Sequence, residues 1–275
     1  MNTRLKSLCF VLLCVGAGAA PATAHSAPIP WQTERFDYSA AGVPLKDALS
    51  ALAEQAHVSI DVAPDVKGSV TGRFSLAPQE FLSTMATTYD VSWYYDGAVL
   101  HVAPEADRRA LAMRLNYAST DALLARLSST GASDARFAPQ IDEVTRTVVV
   151  TGPPAYVEQV EATARELEQA ARERVDTAER VVALQTLYAD NRHEPGDGAV
   201  LSAPRVATRL RERFAGNREK PFADGVVPRE YEAPLPIIEA DLDRNAIVIR
   251  DRPERLDADE RMVRDAAIGA RTNSQ

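Results

Sequence analysis

The chain has 275 residues, 45% of them apolar and 25% charged, with a formal charge of −8 at pH 7. At this length that composition means two or three ordinary globular domains and excludes wholesale disorder. The acidic balance gives no basis for a nucleic-acid partner.

The first 24 residues stand apart from the rest. Arg4 and Lys6 form a basic n-region, Leu8 to Ala20 a short apolar core, and Ala22-Thr23-Ala24 an A-x-A site. That pattern predicts a secretory signal peptide over 1–24, cut after Ala24. The apolar run is short for a membrane anchor, and leucines precede Cys9 and Cys14 where a lipidation site needs a small residue. Both cysteines lie in this leader, so the exported part has no disulfide, thiol nucleophile or thiolate metal site. Losing Arg4 and Lys6 takes its charge to −10. No later apolar run is long enough for a transmembrane helix.

A first module is expected over 31–103. Phe36 and Tyr38 suggest a strand ending in a turn at Gly42, and Pro44 suits a first helical turn. Leu45, Ala48, Leu49, Leu52, Ala53 and Ala56 then recur at helical spacing. Val58, Ile60 and Val62 alternate as a strand; a turn from Pro64 to Gly68 leads into another, Ser69 to Phe74. A second helix is predicted from Pro78 to Tyr89, with Phe81, Leu82, Met85 and Tyr89 inward. Asp96-Gly97 then reads as a two-residue hairpin turn, pairing Tyr95 with Ala98, Trp93 with Leu100 and Val91 with Val102. Paired residues share a face, so these make one apolar surface, with Ser92, Tyr94, Val99 and His101 on the other. The order is βαββαββ.

Pro104 to Arg109 is a charged linker, and a second module is expected over 108–172. Leu111, Met113, Leu115 and Tyr117 alternate as a half-buried strand. Ser119 or Thr120 caps a helix carrying Leu123, Leu124 and Leu127. Strands are predicted near Ala135–Ala138, at Ile141–Val144 and at Thr147–Thr151, with a turn near Arg146. Gly152-Pro153-Pro154 opens a helix striped by Val157, Val160, Ala164, Leu167 and Ala171.

A third module over 178–260 repeats this βαββα order. Val182, Leu184 and Leu187-Tyr188-Ala189 parallel Met113, Leu115 and Tyr117-Ala118. A polar insertion, Asp190 to Ser202, precedes a helix from about Pro204 with Val206, Leu210 and Phe214 inward. A Pro-rich loop, Gly216 to Pro236, follows. Then Ile238 to Pro253 parallels Ile141 to Pro153, matching Arg244 with Arg146. Met262, Val263 and Ala266 give only a thin stripe, so 261–275 reads as a frayed tail. The fold class is α+β, in tandem small modules.

Nothing in the sequence assembles a catalytic, cofactor or metal site. His25, His57, His101 and His193 fall in four settings without metal-ligand spacing, and no G-x-S-x-G, P-loop or H-E-x-x-H occurs. Asp241/Asp243 and Asp257/Asp259 read as solvated turns and tail. One charge pattern stands out: Arg205, Arg209 and Arg213 at i, i+4 and i+8 on the third module's helix. Such a row is either a solvated face or a subunit interface that sets register against an acidic neighbour.

Val43-Pro-Leu-Lys-Asp-Ala-Leu49, Gly68-Ser-Val-Thr-Gly-Arg-Phe74, Pro78-Gln-Glu-Phe-Leu82 and Trp93-Tyr-Tyr-Asp-Gly-Ala-Val-Leu100 resemble the N-terminal domain of type III secretion secretins. Arg146-Thr-Val-Val-Val-Thr-Gly-Pro-Pro154 and Arg244 to Pro253 are similar to the KH-like ring-building units that follow in that family. The resemblance spans about 31–260 and implies a periplasmic ring within an outer-membrane channel for exported proteins. The partners it implies are other copies of the chain, the inner-membrane ring and proteins in transit, with no cofactor and no catalysis. Family members continue into a Gly-rich barrel domain; with 13 glycines and no series of alternating membrane strands, this chain is expected to supply the periplasmic half. A truncated gene, a split gene and a domain-level product all fit that ending. The first module also resembles the short N-terminal domain of TonB-dependent receptors, so a stand-alone binding or signalling module is the alternative. The repeated units at 111–171 and 181–257 argue against it.

Overall fold

The computed structural model describes residues 28–184, 203–215 and 228–272, with side chains to 267. In the first module β1 (Phe36–Pro44) pairs antiparallel with β3 (Ser69–Leu76). A separate sheet has the order β2 (Ser59–Val62), β5 (Val99–Pro104), β4 (Val91–Tyr95), with β2 parallel and β4 antiparallel to β5. Helices α1 (Leu45–Ala56) and α2 (Pro78–Tyr89) pack against both sheets around one core.

Local chemistry explains these elements. The six apolar positions of α1 expected inward, Leu45, Ala48, Leu49, Leu52, Ala53 and Ala56, are all buried, and each buried leucine contributes roughly 2 kcal/mol. The helix stops at His57, which adopts a left-handed φ of 53° and donates its N–H to the Glu54 carbonyl while Val58 donates to Ala53. That Schellman-type closure satisfies two helix-end carbonyls. Gly42 (φ 75°) forms a bulge rather than the expected turn: register slips between Ala41 and Val43, and β1 continues to Pro44. Only then does the chain turn into α1.

The β4–β5 hairpin differs from expectation in register. Tyr95 pairs with Leu100 and Trp93 with Val102, because the turn centres on Gly97-Ala98. Asp96 Oδ1 accepts the N–H groups of Ala98 (2.8 Å) and Val99 (2.7 Å), drawing Asp96 into the closing pair. The partner shift is two residues, so each side chain keeps its face. Val91, Tyr95, Leu100 and Val102 are buried in the first core.

The second module contains β6 (Arg109–Arg114), α3 (Thr120–Ser129), β7 (Gln140–Asp142), β8 (Thr147–Gly152) and α4 (Pro154–Glu173). The third contains β9 (Ala178–Ala183), α5 (Ala203–Ala215), β10 (Arg229–Glu230), β11 (Ile237–Asp241), β12 (Ala246–Asp251) and α6 (Leu256–Thr272). The two superimpose as one pattern. Leu115 donates its N–H to Arg146 O, and Leu184 donates to Asn245 O; both acceptors have left-handed φ, 51° and 45°. The structural partner of Arg146 is therefore Asn245, one residue beyond the expected Arg244, and Gly152 corresponds to Asp251. The order of elements is α+β throughout, with α3 and α4 against one sheet and α5 and α6 against the other.

Other expectations also change. Residues Ala135–Phe137 form a 3-10 turn instead of a strand, closed by Asp134 Oδ1 accepting the Arg136 N–H. Leu123 and Leu127 are buried, but Leu124 is exposed. Residues 261–272 are helical rather than frayed: α6 continues to Thr272, and Val263 and Ala267 lie in the third core. Tyr188-Ala189 and the insertion 190–202 lie outside the described residues.

Candidate assembly surfaces

The back face of the β4–β5 hairpin is where the first module meets the second. Tyr94 is 1% exposed and belongs to the second module's core, not its own. Its ring meets Tyr156 edge-on at 5.1 Å, and its hydroxyl donates to the Ala132 carbonyl at 3.1 Å. Burial pushes both tyrosine hydroxyls far above their ordinary range. Beside them, Arg136 lies over the Trp93 ring at 3.5 Å, donates to the Trp93 carbonyl, and is held from behind by the buried Asp134. A cation sandwiched in this way adds about 1 kcal/mol to the joint. Gly152 is required here: a Cβ would come within 2.9 Å of Tyr156 and 3.1 Å of Phe137.

His101 sits on the same face, its ring nitrogens 3.0 Å from Asp96 and 3.4 Å from Asp61, stacked against Tyr94. Although burial acts to raise it, the Asp96 carboxyl is held below its ordinary range by hydrogen bonds from His101 and the amides of Val99 and Ala98.

A strap from the third module closes onto the second. Strand β10 extends the second sheet by pairing parallel with Met113 and Arg114 of β6. Glu230 accepts from Arg114 (3.2 Å) and Asn116 (3.3 Å), Asn116 also donates to Glu232 O (2.7 Å), and Tyr117 donates to Ala233 O (2.6 Å). Arg229 reaches Glu161, and Arg165 lies over the Tyr231 ring at 5.3 Å. Behind this strap, fully buried Glu168 of α4 accepts three backbone N–H groups, from Asn116, Tyr117 and Ala118, at 2.7–2.9 Å. That single carboxylate satisfies the donors of the β6–α3 turn.

In the third module a buried acid pair occupies the position of Gly152. Asp251 and Asp259 are each 1% exposed, with Arg255 at 3.6 Å from Asp251. Burial first, then the hydrogen bond and charge of Asp251, push Asp259 up to about 6, against the pull of Arg255. Asp259 is thus not the solvated residue expected from sequence, whereas its neighbour Asp257 is exposed.

Of the residues singled out in the sequence, Arg205, Arg209 and Arg213 form an exposed row on α5, while Arg211 turns inward to the Ile238 carbonyl at 2.7 Å. The Ala24 cleavage site, His25 and His193 lie outside the described residues. His57 terminates α1, and no group of three or more His, Cys, Asp or Glu forms a metal cage among the described residues. Nor is any described helix long and apolar enough to cross a membrane. Sequence reasoning missed Tyr94, Arg136, Glu168 and the strap. The one available signal was an aromatic, Tyr94, on the hairpin face opposite the apolar surface.

Residues 112–173, the second module, match the family described as "Bacterial type II/III secretion system short domain". The chain is also 34% identical over 213 residues to the type 3 secretion system secretin of Ralstonia nicotianae, covering 78% of this chain. The chain belongs to the secretin family. A second secretin, from Xanthomonas euvesicatoria, is 36% identical over 200 residues, covering 73% of this chain. The aligned parts are 37% and 33% of those two secretins, so the chain spans about a third of either. The nodulation protein NolW of Rhizobium fredii is 30% identical over 155 residues, covering 55% of this chain and 66% of NolW. Within this secretin chain the family match falls on the module that both joints grip, through Tyr94 on one side and the 229–233 strap on the other.

Proposed function

We propose that this secretin chain forms periplasmic ring layers of a type III protein secretion channel, its modules over 31–103, 108–172 and 178–260 stacking as successive tiers. The observation that carries this is the repeat of one two-layer α/β unit, in a chain whose second unit matches the secretin short domain. Each unit has helices on one face of a sheet, leaving two dissimilar flanks; contacts between unlike flanks close into rings when the rotation allows. On this reading residues 1–24 direct export, the protein works in the periplasm against an outer-membrane barrel, and it catalyses nothing. Its partners are further copies of itself, the inner-membrane ring and the proteins that pass through. The exposed Arg205, Arg209 and Arg213 row supplies a positive flank for the neighbouring copy in an otherwise acidic chain. A photo-crosslinking residue introduced at Arg209 should give a ladder of covalent oligomers in assembled material. A product that never exceeds one copy would sink the ring reading.

A further inference from the structure

The second and third modules carry different chemistry at the same structural position. At the end of β8 the second module has Gly152, and one turn into α4 it has Tyr156 and Val160, all apolar and packed beneath Tyr94. The corresponding residues of the third module are Asp251, Arg255 and Asp259. Both Asp259 carboxyl oxygens and Oδ2 of Asp251 are buried without a hydrogen-bond partner; Oδ2 of Asp251 has the Arg255 ion pair at 3.6 Å, and its Oδ1 accepts the Arg252 N–H at 2.7 Å. Two buried carboxylates this close cannot both ionise without strong repulsion.

The surroundings determine what that repulsion moves. On its own elements the pair faces Arg255 at 3.6 Å and the Arg252 amide. From β9, Arg180 is already engaged by the exposed Asp257 and the half-buried Glu260, and Glu179 by Arg250. α5 contributes apolar residues of the shared core, Val206 and Leu210. The second module contributes Tyr117: burial pushes its hydroxyl up, Arg172 draws it down, and Glu232, Glu168 and Asp251 push it up again. We propose that Asp251 and Asp259 form a shared-proton latch, closing the first turn of α6 onto β12 when the pair holds a proton and loosening that turn when the proton leaves. The second module's equivalent positions, Gly152, Tyr156 and Val160, carry no carboxylate.

The position of the latch follows from the raised value of Asp259: its proton leaves the folded protein as pH rises through about 6. The test uses the full exported chain. Amide exchange of Ala258 and Asp259, corrected for intrinsic rates, should quicken at least tenfold between pH 5 and pH 7, and Asp259→Asn, which keeps a hydrogen bond but cannot titrate, should abolish the change. Identical pH profiles for wild type and Asp259→Asn would overturn the proposal. If that variant fails to fold, carboxyl-carbon titration of the wild type decides: an Asp259 midpoint near 4 overturns the latch, and one near 6 supports it.

Discussion

Replacing Tyr94 tests whether the first and second modules behave as one body. The ring is 1% exposed, packed against Tyr156 and His101, and its hydroxyl bonds Ala132. Truncating a buried aromatic costs roughly 3–5 kcal/mol. Tyr94→Phe keeps the ring and removes only the bond, which costs about 1 kcal/mol. The difference, about 2–4 kcal/mol, belongs to the ring's place in the second core. Both tryptophans of the chain, Trp31 and Trp93, lie in the first module. Urea unfolding followed by fluorescence therefore reports that module, and exchange of α4 amides reports the second. Wild type should lose both together. Tyr94→Ala should separate them, with the second module exposing its amides at lower urea than Tyr94→Phe. A loss below about 1 kcal/mol in Tyr94→Ala, or equal effects of the two substitutions, would refute a joint built on this ring.

Other perturbations have equally definite outcomes. Glu168→Ala leaves three buried N–H donors without their acceptor and should cost roughly 3–5 kcal/mol in denaturant titration; a loss under 1 kcal/mol would mean that water replaces the carboxylate. Gly152→Ala drives a methyl against Tyr156 and Phe137 and should destabilise by about 1–3 kcal/mol, measured by thermal unfolding. Asp259 has a folded value raised to about 6 above an unfolded value of about 3.9. Its stabilising contribution is complete below about pH 4, is lost between about pH 4 and 6, and is absent above that. Asp259→Asn should therefore match wild type near pH 4 and exceed it by about 2 kcal/mol at pH 7.5, after allowing for screening; no gain at pH 7.5 would contradict the assignment. Charge reversal at Arg205 and Arg209 should weaken self-association more at low salt than at high salt; equal weakening would assign the row to solvent.

Periodic signals carried most of the secondary structure. The six apolar positions of α1 and the Pro78–Tyr89 span of α2 were legible because each depends on one helix facing one core. The hairpin register was not, because the carboxylate of Asp96 competes for the turn amides and moves the turn by one residue. The faces survived because a two-residue partner shift preserves the strand's period. The Arg146–Asn245 correspondence was hidden because left-handed φ, rather than residue identity, is what the two turns share. The assembly surfaces were largely illegible. Alternation places the neighbours Tyr94 and Tyr95 on opposite faces, but that a second core covers the face of Tyr94 depends on the position of the second module. The strap at 229–233 interrupts a Pro-rich loop with a two-residue strand, too short for alternation to register. Asp257 and Asp259 read alike in sequence; helix phase makes one solvated and the other buried.

The central claim, that this secretin chain builds rings, is tested most directly by multi-angle light scattering of residues 25–275 across concentration, alone and with a secretin β-domain supplied in trans. The account predicts a mass that rises with concentration, or a discrete oligomer once the β-domain is added. A strict monomer under both conditions would contradict it.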